Sequence, residues 1–358
     1  MDRWLPGYLR SVRARPGGNL EGGHVMFCVA DHYEPFRGDV ARDEAVAIVR
    51  QWCAAYQAVF AAWRDDEGRC PRHTFFYPEE EYDAECLDLL AGFCREGFGE
   101  VEVHLHHRHD TADGLRHKLT TFRDRLHNEH GLLGSDRAGA TRYGFVHGNW
   151  ALCNSRPDGD WCGVNEELSI LRSTGCYADF TFPSVPSPTQ PRTVNSIYYA
   201  RDRPGAPRGH DAGRAVTVGG PGGMDDELML VQGPLALNWS RPKWGILPRI
   251  ENGEITGVNP PTTGRIKRWL EQRIHVRERP EWVFIKLHTH GCLEDSMSVL
   301  LGDRMLNLHR LLQEAVSAWG ARLHYVTARE MYNVIRAAES GNAGNPNDFL
   351  NYAITMND

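Results

Sequence analysis

The stretch "EVEVHLHHRHD", residues 100–110, decides how the chain is read. Its first half alternates apolar and polar residues with the two-residue period of a strand. Val101, Val103 and Leu105 therefore share one face, and Glu102, His104 and His106 share the other. Its second half, with His107, His109 and Asp110, is too rich in imidazole for an ordinary strand end. Neighbouring imidazoles repel one another once protonated, so such a cluster points to a ligand that several of them hold together.

Working outward, the same alternation of strand-length apolar runs and amphipathic helical segments recurs on both sides. "HVMFCVADHYEP" (24–35), "HTFFYP" (73–78), "YGFVHGNW" (143–150), "CYADFTFP" (176–183), "EWVFIKLHTHG" (281–291) and "RLHYVTA" (322–328) read as strands. Helical spacing fills the intervals, as in "RDEAVAIVRQWCAAYQAVFAAWRDD" (42–66) and in 111–131, where Thr111 is placed to cap the helix. Strand–helix repetition predicts a parallel sheet. The expected fold is α/β, a deformed (β/α)7-type barrel forming a single catalytic domain over residues 1–358. Residues 182–262 break the rhythm with Pro and Gly, including "GGPGG" at 219–223, and Asn252-Gly253 is a hairpin-turn signal. This segment is expected to be a loop-and-hairpin insertion over one face.

The chain has 358 residues, 41% of them hydrophobic and 24% charged, enough to fill a large core. A net charge of −7 without a Lys/Arg run argues against nucleic acid as a partner. No apolar stretch is long enough to span a membrane. The opening "MDRWLPGYLRSVRARPGG" lacks the apolar segment of a signal peptide. Nine cysteines without CxxC spacing read as reduced thiols, so a cytoplasmic location is expected.

In parallel α/β folds, functional groups gather where strands end and loops begin. Here those ends carry Asp31, His32 and Glu34; His104, His106, His107 and Asp110; His147, Asn149 and Trp150; Asp179; and His288 and His290. Imidazole with carboxylate suits zinc or a similar divalent ion, with an open position for water. His73, His117, His127, His130 and His309 lie on helices or strand starts and read as structural.

The order of motifs resembles the polysaccharide deacetylases, the carbohydrate esterase 4 group. "VADHYEP" (29–35) stands where that family has a paired Asp, "HTFFYP" matches its Thr-Phe-Phe strand, and "EVHLHHRHD" (102–110) matches its metal motif. "LRSTGCYADFTFPS" (171–184), "FIKLHTHG" (284–291) and "WGARLHYVTAREM" (319–331) resemble its later segments. The resemblance implies Asp31 as the base that activates water, and His288, with His290 beside it, as the acid that protonates the leaving amine. It implies His32, His106 and Asp110 as metal ligands. The chain departs from the pattern in having Asp-His for Asp-Asp and Asp110 for the second histidine, so His104, His107 or His147 is available to regroup the ligand set.

These readings converge on a zinc-type hydrolase of an N-acylated sugar or related carbohydrate. Glu34, His107, His147, Asn149 and Trp150 would contact the substrate, and Trp150, Trp239 and Trp244 are candidates to stack on sugar faces. Three alternatives use the same residues differently. A glycoside hydrolase would draw a carboxylate pair from Glu34, Glu166, Glu167 and Asp179. An amidohydrolase-like enzyme would use His104-x-His106, and a non-catalytic barrel would bind glycan as a subunit of a larger assembly.

Overall fold

The computed structural model describes residues 3–356, apart from the side chain of Arg241. Its strands are β1 (His24–His32), β2 (His73–Pro78), β3 (Gly99–Leu105), β4 (Gly134–Asp136), β5 (Thr141–His147), β6 (Cys176–Asp179) and β7 (Ile197–Ala200). They continue with β8 (Arg214–Ala215), β9 (Leu228–Val231), β10 (Ala236–Lys243), β11 (Leu247–Glu251), β12 (Trp282–Thr289), β13 (Arg322–Tyr325) and β14 (Ile354–Met356). The helices are α1 (Leu5–Arg13), α2 (Arg42–Phe60), α3 (Ala84–Arg95), α4 (Ala112–Asn128), α5 (Glu167–Ser173), α6 (Thr263–Glu271), α7 (Glu294–Leu300), α8 (Asp303–Ala318) and α9 (Ala328–Glu339).

The central sheet runs β12-β1-β2-β3-β5-β6-β9-β7-β8. It is parallel from β12 to β9, and β7 and β8 close it antiparallel. The α/β class and the parallel order are as the sequence predicts. β12 pairs with β1 along nearly its whole length. On the other edge of β1, β13 takes His24–Phe27 and β2 takes Ala30–His32, so β13 sits below β2 and away from the strand ends.

Strand alternation sorts the core into two layers. Phe27, Val29, Phe75, Val101, Val103, Leu105 and Phe145 pack with Trp52 and Tyr56 of α2 and with the apolar faces of α3, α4 and α8. Met26, Cys28, Ala30, Phe76, Val146, Tyr177 and Met229 face the other way, onto Met331, Val334 and Ile335 of α9. Each fully buried side chain of this size contributes about 1.5–3 kcal/mol. Local signals set the helix starts: Thr111 accepts from Gly114 N at 3.1 Å, and Thr327 with Glu330 forms a capping box at α9. Arg329 then locks α9 to β3 through a buried pair with Glu100, Nη2 to Oε1 at 2.7 Å and Nε to Oε2 at 3.0 Å.

Residues 182–262 differ from the expected loop-and-hairpin segment. They hold β7, β8 and β9, and β9 is a parallel member of the main sheet beside β6. Its apolar run, Leu228–Val231, is only four residues long and lies between Gly- and Pro-rich stretches, which hides it from a periodicity reading. The hairpin β10–β11 turns at Trp244 and Gly245, both at positive φ, and not at Asn252-Gly253. The Asn-Gly pair has another use. Asn252 Oδ1 accepts from Glu254 N, and the backbone of Gly253 and Ile255 bonds to His288 on β12.

No ladder joins β9 to β12 among the described residues, but β12 reaches across to the segment that follows β6. Lys286 of β12 donates through Nζ to the carbonyls of Phe180 and Phe182 beyond β6, the latter at 2.7 Å. No helix among the described residues is long and apolar enough to cross a membrane.

Candidate metal centre

At the carboxyl ends of β1, β3 and β12, five side chains converge. His32 is the last residue of β1, Glu34 follows it, His104 and His106 lie on one face at the end of β3, and His290 follows β12. The ring of His32 lies 4.8 Å from those of both His104 and His290, and the rings of His104 and His106 are 4.6 Å apart. Glu34 is common to two groups of ligand-type atoms, one with His104 and His106 and one with His32 and His290. Its Oε1 is 3.2 Å from His104 Nε2 and 3.5 Å from His106 Nε2, and its Oε2 pairs with Arg37 at 2.9 Å. His32 and His104 are buried, whereas 28% of the His106 side chain reaches solvent, so the group opens on one side.

The second nitrogen of each β3 imidazole decides what this arrangement can do. His104 Nδ1 lies 2.9 Å from the Val146 carbonyl, which can only accept, so the proton must be on Nδ1. His106 Nδ1 is held by the carboxylate of Glu80, which again requires Nδ1–H. A neutral ring then turns a lone pair at Nε2 toward a carboxylate oxygen, in both cases the same one. Two lone pairs and an anionic oxygen repel unless each ring takes a second proton or a cation lies among them. Nδ1 fixed by a carbonyl or carboxylate, leaving Nε2 free, is the orientation of histidines that ligate metals. The donor set therefore fits a divalent ion bound by His104, His106 and Glu34.

The remaining groups are electrostatically tuned around it. Burial holds His32 well below the ordinary imidazole range, and the facing His290 and His104 deepen the effect; its Nδ1 is buried without a partner. Burial also lowers His290. Burial alone would raise the Glu34 carboxyl, but the hydrogen bond and charge of His104, then His290 and His106, bring it to about 2. Burial would lower His106, but the hydrogen bond and charge of Glu80, then the charges of Glu34 and Glu81, together raise it. Trp150 lies at the edge, its ring 6.3 Å from His32 and 6.4 Å from His290, and Asn149 beside it keeps a buried, unpartnered amide nitrogen.

Several expected site residues lie elsewhere. Asp31 pairs with Phe75 and Thr289 in the ladders, so its side chain leaves β1 on the face opposite His32. It is fully buried, accepting from His73 Nε2 at 2.8 Å and Gly291 N at 2.6 Å, and does not meet the imidazole group as a base would. Asp110 is not with His106. It binds Lys118 Nζ at 2.8 Å and faces His107 Nδ1 at 3.3 Å. His107 and His147 project on the helix side of β3 and β5 and form a second group with Cys162 and Glu167. They are thus not available as rim contacts to a substrate. His288 sits deeper than His290, next to Lys286; burial, then the charge of Lys286, lowers it, and its Nδ1 is buried without a partner.

The carboxylates named for a glycosidase do not gather. Glu34 belongs to the imidazole group, Glu166 is exposed at the start of α5, Glu167 is buried beside His107, and Asp179 is buried on Thr181 Oγ1 at 2.7 Å. Burial pushes Asp179 up to about 7. Trp239 and Trp244 stand exposed on the β10–β11 hairpin, at 59% and 76%. Sequence reasoning missed Glu80, which follows β2 in the acidic run 79–81, and Cys162, which no local pattern marks. An acidic triplet directly after a strand end was the available signal for the first. The chain matches no protein-family model, and no curated protein is similar to it in sequence.

Proposed function

We propose that the chain is a metal-dependent hydrolase of the polysaccharide-deacetylase kind, acting on an N-acylated sugar or related carbohydrate in the cytoplasm. In this reading the sheet is a (β/α)7-type barrel left open between β9 and β12, with the metal centre at its mouth. One observation carries the proposal: Nε2 of His104 and Nε2 of His106 converge on the same oxygen of Glu34, at 3.2 and 3.5 Å, while each ring's Nδ1 is taken by another acceptor.

Glu34, His104 and His106 would hold a divalent ion, zinc being the best match to two imidazoles and one carboxylate with a vacant position. When bound, such an ion supplies a water of lowered pKa and polarises the substrate carbonyl. The residues of the chain do the rest. His32 and His290 face the group as neutral imidazoles, each with a nitrogen able to accept the proton of water and pass it to a leaving amine. Glu80 keeps His106 in its ligating tautomer, and Arg37 fixes the second oxygen of Glu34. Trp150 offers an aromatic ledge beside His32 and His290 for the apolar face of a sugar ring.

The test is acetate release from a panel of N-acetylated amino sugars by zinc-loaded protein, before and after dipicolinate. Turnover that needs metal and is lost in Glu34→Gln supports the reading. Turnover indifferent to chelation on any of these substrates overturns it.

A further inference from the structure

We propose a second, closed metal site on the other side of β3, formed by His107, His147, Cys162 and Glu167. Strand alternation puts it there. His106 turns to the mouth, so His107 turns to the helix side, where His147 at the end of β5 meets it. One ligand atom from each of the four residues lies within 4.8 Å of all the others, and all four residues are buried. His107 Nε2 is 3.0 Å from His147 Nε2 and 3.2 Å from Glu167 Oε1, and His147 Nε2 is 3.7 Å from that same oxygen. Zinc bonds of roughly 2.0–2.3 Å at tetrahedral angles place donor atoms about 3.3–3.8 Å apart. The group is already close to that size.

The surroundings of the group suit a cation. His107 Nδ1 lies 3.3 Å from Asp110 Oδ2, with Lys118 behind it, so the carboxylate is on the side of the ring away from the group and Nε2 is the nitrogen turned toward it. His147 Nδ1 is buried with no partner, while its Nε2 faces His107 Nε2 and Glu167 Oε1, the atoms a cation would join. Two backbone N–H groups, of Asn154 at 3.3 Å and Val164 at 3.5 Å, aim at Cys162 Sγ and partly offset the burial and the charge of Glu167 that hold it as a thiol, so a bound cation would be what removes its proton. Cys153 N occupies Glu167 Oε2 at 2.6 Å and leaves Oε1 for the ion. One thiolate and one carboxylate neutralise a divalent ion, so the filled site carries no net charge into a fully buried location.

Four protein ligands and no open position make this a structural site, distinct from the mouth. It ties the loop after β3 and the end of β5 to the loop of 161–164 and the start of α5. Gly163, at φ +104°, lets that loop cross the backbone of Asp110, where a Cβ would come within 2.6 Å of its nitrogen. His104, His106 and Trp150 all lie within a few residues of these ligands, so the site positions the metal centre above it.

The test is cobalt substitution of the full-length protein, expressed in cobalt-supplemented minimal medium because the buried site must fill as the chain folds. The expected spectrum has a near-ultraviolet thiolate-to-cobalt charge-transfer band with intense tetrahedral visible bands. The charge-transfer band is lost in Cys162→Ser and kept in His106→Ala and Glu34→Gln, which report on the mouth alone. Glu167→Gln, which keeps the thiol, should shift the visible bands. Folded, cobalt-containing wild-type protein without a charge-transfer band overturns the proposal, as does a band that survives Cys162→Ser. Loss of metal from the mouth variants with the band intact, or the reverse, separates the two sites.

Discussion

Asp31→Asn distinguishes a base that acts at the centre from a buried anchor behind it. Asp31 Oδ2 holds His73 at 2.8 Å and Oδ1 accepts from Gly291 N at 2.6 Å, on the helix side of β1. Asparagine keeps one acceptor for Gly291 but replaces a charge-assisted bond with a neutral one. Bonds to charged groups contribute about 1.5–3 kcal/mol and neutral bonds about 0.5–1.5, so the expected loss is about 1–2 kcal/mol. It should appear as a lower urea midpoint at unchanged slope. Metal content should equal that of wild type, and any turnover should fall less than about tenfold, through the shift of Gly291 and with it His290. Loss of a general base would instead cost about 10²–10⁴ in rate. A fall of that size at undiminished stability would refute the placement of Asp31 as structural.

Three other outcomes follow from the same geometry. Glu34→Gln should fold but bind metal at the mouth at least tenfold more weakly, read by competition with a chromogenic chelator; unchanged affinity would remove Glu34 from the ligand set. His309 is fully buried with both nitrogens unpartnered, and burial lowers it to about 3. A folded-state value below the unfolded 6.5 means its contribution is intact above pH 6.5 and lost as pH falls toward 3, about 2 kcal/mol by pH 5. His309→Phe should therefore lose less stability than wild type between pH 7.5 and 5, and an equal loss in urea titrations would contradict this. Arg329→Met leaves Glu100 buried without its partner and should cost about 3–5 kcal/mol; a loss under 1 kcal/mol would mean that the pair does not anchor α9.

The parallel order was legible because each strand–helix unit carries its own local signal, from the apolar run of 24–30 to the capping Thr111. That His104 and His106 share a face, opposite Val103 and Leu105, was legible too, since it follows from the period of β3. Two kinds of information were not. Residues 228–231 form a strand through pairing with β6 and β7, and a four-residue run has no periodicity of its own. Grouping site residues by nearness in sequence also failed where a strand sends neighbours to opposite faces: Asp31 from His32, and His107 from His106. Glu34 and Glu80 reach the centre and Cys162 reaches the second group through loop paths that only the folded chain fixes.

The most direct measurement is an anomalous difference map at the zinc edge from crystals grown with zinc and without an affinity tag. The account predicts a peak within bonding distance of Glu34 Oε1, His104 Nε2 and His106 Nε2, with a coordination position open toward His290. Well-ordered crystals with these three side chains in place and no peak among them would contradict a metal centre at the mouth and, with it, the hydrolase.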